Sequence, residues 1–223
     1  MSYQIAIDGP AGAGKSTIAR AVAERLRYIY VDTGAMYRAM GLYMEDHGID
    51  LSDREAVEQA ASGVNISIEY ENGAQQVILN GENVTGRVRT ERAGMLASAV
   101  SVHPGVRKKL VQLQQELGSR QNVVMDGRDI GTAVLPGAQL KIFLTASVAV
   151  RAGRRFLELQ EKGQKADLVE IEKDIEQRDY QDSHREASPL TRARDAVLLD
   201  SSELTVQEVI DEILKLCAER ELL

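Results

Sequence analysis

QIAIDGPAGAGKSTIARAVAERLR, residues 4–27, is the stretch that decides the fold. The apolar run Ile5-Ala6-Ile7 ends in Asp8, and DGPAGAGKST (8–17) then matches G-x-x-x-x-G-K-[ST] with Gly9, Gly14, Lys15 and Ser16. Over 16–27, Ile18, Ala19, Val22, Ala23 and Leu26 fall on one helical face. Strand, glycine-rich loop and amphipathic helix follow in the order a phosphate-binding loop needs. Glycines let the backbone wrap a phosphate chain with its N–H groups pointing inward, and the helix N-terminus adds favourable partial charge. Gly9, Pro10, Ala11, Gly12, Ala13, Gly14, Lys15, Ser16 and Thr17 form the expected loop, with Lys15 reaching the outer phosphates and the Ser16 hydroxyl suited to Mg²⁺. A dinucleotide fold is excluded by spacing: glycines at 9, 12 and 14 do not make G-x-G-x-x-G, and that fold uses no Lys-Ser pair.

Outward from this loop, YIYVD (28–32), NVVMD (122–126), LKIFLTA (140–146) and AVLLD (196–200) join QIAID (4–8) as short apolar runs between helix-period segments. The expected fold class is therefore α/β, with a five-stranded parallel sheet covered by helices on both faces and ligands at the carboxyl ends of the strands. Four of the five runs end in aspartate, so those acids line the expected crevice. The interval 63–93 breaks the pattern. ISIEY and QQVILN alternate around the turns ENGAQ and LNGEN, which reads as a small antiparallel insertion into a core of 1–62 and 94–223. LQEKGQK (159–165) is polar and glycine-bearing, a mobile loop between two helices.

The composition bounds the function. A formal net charge of −7 argues against a protein that coats nucleic acid or an anionic membrane. Within that acidic total, 19 of the 27 basic residues are arginine, the side chain that grips phosphate through two parallel hydrogen bonds. One cysteine, Cys217, allows no intramolecular disulfide and fits a reducing cytoplasm; its spacing with Val206, Val209, Ile210, Ile213 and Leu214 puts it on an apolar helix stripe. The three histidines show no metal-ligand spacing, and neither a signal peptide nor a membrane-spanning run is evident.

A phosphoryl acceptor needs a second anion site, and three segments offer one. In VDTGAMYR (31–38), Thr33 or Asp32 can cap a helix that carries Arg38. Along the helix from 167 to about 185, the inward stripe Leu168, Ile171 and Ile175 continues as Arg178, Asp182 and Arg185, charges where a buried face should run. In SVAVRAGRRF (147–156), Arg151, Arg154 and Arg155 share one helical face, either solvated or closing over transferring phosphates. VVMDGRDIG (123–131) sets Asp126, Arg128 and Asp129 at a strand end, more charge than a turn into solvent requires.

Together DGPAGAGKST, VDTGAMYR, the hairpin insertion, DGRDIG, the arginine pair 154–155 and QRDYQDSHR resemble the bacterial cytidylate kinases, P-loop nucleoside monophosphate kinases, over nearly the whole chain. The resemblance implies transfer of the γ-phosphate of ATP to CMP or dCMP in pyrimidine nucleotide metabolism, with Mg²⁺, in the cytoplasm and as a monomer. It implies that Arg38, Arg128 and Arg178 hold the acceptor phosphate, with Thr33 in place of a commoner serine. Ser98, Arg107 and Asp129 would read the cytosine ring, Asp182 would contact the sugar, and Arg185 would lie toward the phosphates. Lys15, Arg128, Arg151, Arg154 and Arg155 would act on the transferring phosphates, the last three from a lid at about 147–165. Asp32 and Asp126 are then suited to order metal-bound water. The base assignment has an independent physical basis, because cytosine presents an exocyclic amino donor to a carboxylate where uracil presents a carbonyl. Rival readings are a kinase for UMP, AMP or another small acceptor, and a non-catalytic nucleotide-binding regulator. A GTPase is disfavoured by the lack of an N-K-x-D motif.

Overall fold

A computed structural model describes residues 2–71 and 74–222; Asn72 and Gly73 of the expected ENGAQ turn lie outside the described residues. In chain order the elements are β1 (Gln4–Asp8), α1 (Lys15–Leu26), β2 (Ile29–Asp32), α2 (Thr33–Asp46), α3 (Arg54–Ser62), β3 (Ile66–Glu71), β4 (Ala74–Leu79) and β5 (Glu82–Asn83). A 3₁₀ turn (Arg87–Arg89) leads to α4 (Glu91–Val100), α5 (Pro104–Arg120) and β6 (Val123–Gly127). A π-helical turn (Ile130–Val134) then precedes β7 (Leu140–Thr145), α6 (Val148–Glu161), α7 (Leu168–His184), β8 (Val197–Asp200) and α8 (Val206–Ala218).

The sheet has five parallel strands in the order β2-β6-β1-β7-β8, as the apolar runs predict. Ile5, Ala6 and Ile7 are wholly buried, because β1 is central and pairs on both sides. Register aligns the carboxyl ends: Asp8 lies opposite Gly127 on β6 and Phe143 on β7, and Thr145 opposite Asp200. Helix α1 buries Ile18, Ala19, Val22 and Ala23, four of the five expected positions. Helix α8 buries Val209, Ile210, Ile213 and Cys217, and burial pushes the Cys217 thiol up to about 11, so it packs as a small hydrophobe. Val206, expected on that stripe, is instead exposed at the first turn.

The chain divides into two compact units, one formed by 3–29 and 122–223 and the other by 30–121. The second has its own apolar core. Met36, Met40 and Met44 recur at i, i+4 and i+8 on α2, wholly buried, and cluster with buried Val57, Val77, Leu96, Val100, Val106 and Leu110. Helices α2 and α4 approach closely at Gly41, where a Cβ would stand 2.6 Å from that of Leu96. The second sheet is antiparallel, in the order β3-β4-β5. Its β4–β5 turn is the expected LNGEN, with Asn80 and Gly81 both at positive φ (49° and 88°), the geometry that favours Asn-Gly hairpins. These strands fall within the expected 63–93 insertion, but the compact unit containing them also takes in α2, α3, α4 and α5. Those helices bury their apolar faces in its core, and an amphipathic pattern does not say which partner a helix will find.

Candidate active site

In the unit formed by 3–29 and 122–223, the phosphate loop is built where β1 meets α1. Gly9 sits at φ 151°, and a Cβ there would lie 1.9 Å from the Leu144 carbonyl oxygen, so only glycine fits. Gly14 is the N-cap of α1 and offers no side-chain cap, leaving the first N–H groups of the helix for an anion. Lys15 is buried, with Nζ donating to the Pro10 carbonyl at 2.7 Å. Burial, and then the Arg128 guanidinium, push its pKa down to about 7, against the pull of Asp126, Asp182 and Asp8. Ser16 Oγ donates to Asp126 Oδ2 at 2.8 Å, which brings the expected metal-side hydroxyl to the carboxylate at the end of β6.

Arg128 and the α7 charges form one cluster. Arg128 Nε donates to Asp182 Oδ2 at 2.7 Å, and Arg185 Nη1 reaches Asp182 Oδ1 at 3.4 Å. Burial alone would raise the Asp182 carboxyl, but Arg128, Arg185 and Arg178 together hold it below the usual range. Arg185 also donates from Nε to the Ser188 carbonyl at 2.8 Å. Of the stripe read from α7, Asp182 and Arg185 meet in this cluster, while its apolar half differs: Ile175 is buried and Leu168 at the first turn is exposed. The N-terminal turn of a helix has neighbours on fewer sides, which periodicity does not register. Asp129 is 4% exposed and heads the π-helical turn without capping it.

The three arginines of α6 have separate environments. Arg151 is buried and donates to the Ala146 carbonyl (2.9 Å), the Ala11 carbonyl (2.9 Å) and Asp179 Oδ2 (2.6 Å), tying α6 and α7 to the phosphate loop. Arg154 donates to the Ser201 carbonyl at 2.7 Å, and half-exposed Arg155 pairs with Glu158 at 2.9 Å. All three line a cavity of about 300 Å³ together with Gly12–Gly14, Thr17, Ser201, Leu204, Val206 and Val209. The lining thus combines loop backbone and arginine with apolar side chains.

In the unit 30–121, Asp32 rather than Thr33 caps α2: its Oδ1 accepts from the Ala35 N–H at 2.9 Å and its Oδ2 from Arg38 Nη2 at 2.7 Å. That carboxylate is thus occupied in holding Arg38, whose buried Nε has no hydrogen-bond partner among the described residues. Thr33 is buried at the start of α2. Arg107 on α5 is buried, 5.4 Å over the Tyr37 ring, and Nη1 reaches the Ser101 carbonyl at 3.4 Å; Ser98 lies half-buried on α4.

The model of the cytidylate kinase family matches residues 5–219. This chain belongs to that family. The cytidylate kinase of Lactobacillus gasseri is 52% identical over 94% of this chain and 91% of its own. That of Caldicellulosiruptor saccharolyticus is 50% identical over 95% and 94%. Among solved structures, a gluconokinase from Sinorhizobium meliloti 1021 has a TM-score of 0.52 at 16% identity, covering 97% of this chain and 92% of its own. A shikimate kinase from Bacteroides thetaiotaomicron has 0.51 at 16%, covering 97% and 98%. Identities this low speak to the fold alone.

Within this family member, sequence reasoning missed the apolar wall made by Leu204, Val206 and Val209, and Ser201 beside it. Their signal was position, since they follow the carboxyl end of the last strand. It also missed Asp179, one turn from Asp182 and bound to Arg151, and the hydrogen bonds of Asp8 described below.

Proposed function

We propose that this chain transfers the γ-phosphoryl group of ATP to CMP or dCMP, giving ADP and CDP or dCDP. The observation that carries the reading is the pair Arg128-Asp129. An arginine held by Asp182 stands next to a buried carboxylate, in the same unit as Lys15 and the Ser16–Asp126 contact. A ligand with an anionic end and an amino-bearing ring matches that pair.

ATP lies with its phosphates in the loop Gly9–Thr17 and its base against Leu204, Val206 and Val209. Lys15 turns from the Pro10 carbonyl to the outer phosphates, whose charge favours its protonated form. Ser16 Oγ and Asp126 Oδ2 are hard oxygen donors at 2.8 Å and suit Mg²⁺, Ser16 as ligand and Asp126 through water. When bound, that ion neutralises charge building on the phosphates. Arg38, Arg128 and Arg178 hold the acceptor phosphate, with Thr33 and Arg185 in support. Ser98, Arg107 and Asp129 read the ring, and Asp182 contacts the sugar. Arg154 and Arg155 act on the transferring phosphates from the 147–165 segment, while Arg151 keeps the loop in shape beneath them. The acceptor oxygen is already ionised at neutral pH, so alignment and charge neutralisation suffice and no general base is required. A monomer in the cytoplasm suits this role.

Incubation with ATP and Mg²⁺ and each of CMP, dCMP, UMP and AMP tests the reading, with diphosphate resolved by chromatography. CDP and dCDP should form fastest, and no diphosphate from any acceptor would refute it. Asp129→Ala should cut the CMP/UMP ratio of kcat/KM by roughly 10- to 100-fold, the worth of one base-reading contact, while leaving the KM for ATP nearly unchanged.

A further inference from the structure

Asp8 ends β1 and opens the phosphate loop, yet its carboxylate serves another segment. Oδ1 accepts from the Ile130 N–H and Oδ2 from the Gly131 N–H, each at 2.7 Å. These are the first two N–H groups of the π-helical turn Ile130–Val134, whose N-cap residue is Asp129. An aspartate at an N-cap ordinarily accepts from the second or third N–H of its own turn. Asp129 makes no such bond, and the second N–H, that of Gly131, is already taken by Asp8. Both carboxylates are only 4% exposed, so water does little of this work. The turn also packs tightly here: a Cβ on residue 131 would lie 3.3 Å from Asp8 Oδ2 and 3.1 Å from Lys141 Cδ.

We infer that Asp8 is a positioning residue for selection of the acceptor base. By capping the 130–134 turn itself, it fixes the backbone that carries Asp129 and so the direction from which that side chain meets the ring of the acceptor. The inference rests on Asp129 reading the ring, and it deepens that reading. It also joins the two halves of the reaction, because the next residue after Asp8 is Gly9 of the donor loop.

An asparagine at position 8 offers one acceptor oxygen and a donor group, so either Ile130 or Gly131 loses its acceptor. The turn that carries Asp129 is then held by one of these two bonds instead of both. The test uses the full chain as wild type, Asp8→Asn, Asp129→Asn and the double variant. For each, kcat/KM for CMP and for UMP is measured at saturating ATP, with the KM for ATP alongside. Asp8→Asn should lower the CMP/UMP ratio about tenfold or more through a raised KM for CMP. The double variant should be no less selective than Asp129→Asn alone, since both changes remove one interaction. A ratio unchanged by Asp8→Asn, or losses that add in the double variant, would overturn the inference while Asp129 keeps its role. A ratio unchanged by Asp129→Asn would overturn the base-reading role, and this inference with it. Should Asp8→Asn not fold, Asp8→Glu carries the same test, because it keeps both acceptor oxygens one methylene further out. A wild-type ratio in that variant rejects the positioning role, and a reduced one supports it.

Discussion

The Asp8 carboxyl is pulled two ways. Burial raises it most, the Gly131 and Ile130 N–H groups pull it down, Asp129 raises it and Lys15 lowers it, leaving it at about 6. Between about pH 4 and 6 the native chain therefore binds more protons at this group than the unfolded chain, and the stability contributed by the group falls as pH rises. The ionised form costs the native state about 3 kcal/mol, a cost complete above pH 6 and absent below 4. Asp8→Asn has no such titration. Urea midpoints from pH 4.5 to 7.5 should show the wild type gaining on the variant as pH is lowered; a constant difference would place Asp8 at the ordinary carboxylate value. The residue scale also shows what a sequence cannot carry. Nothing in IAID announces that its last acid will cap a turn begun 122 residues later. Likewise, arginines at 151, 154 and 155 have the spacing of one solvated face, but the first is buried with three hydrogen-bond partners.

At the level of elements, short apolar runs, four of the five ending in aspartate, identified every strand of the main sheet, because central strands such as β1 and β6, buried on both faces, have little freedom of composition. The charged continuation of α7 was legible for the converse reason, since Arg178, Asp182 and Arg185 break a stripe that should have stayed apolar. Contacts between helices were not legible. Helices α2 and α4 meet at Gly41, whose absent Cβ would stand 2.6 Å from Leu96 Cβ and 2.9 Å from its carbonyl carbon. Gly41→Ala gains roughly 1 kcal/mol of helix propensity but forces backbone apart, an overpacking cost of about 1–3 kcal/mol. The expected result is a lower urea midpoint with an unchanged m-value. A raised midpoint would mean that the helices separate without cost.

For the molecule as a whole, the 30–121 unit has a core of its own. Met40 is wholly buried there, and Met40→Ala should cost about 2–5 kcal/mol through the cavity it leaves. Native-state hydrogen exchange should show the lost protection concentrated in α2, α4 and α5, with β1, β6 and β7 holding theirs. Uniform loss would show that the chain unfolds as a single cooperative body. The central place of β1 has a consequence for synthesis on the ribosome. Its two hydrogen-bonding neighbours, β6 and β7, are translated more than a hundred residues later. At about 5–20 residues per second, the donor strand waits on the order of ten seconds with both edges bare. Meanwhile the intervening 30–121 segment can bury its own apolar surface. The loop translated first is thus completed late, since the Leu144 carbonyl that closes against Gly9 is made only afterwards.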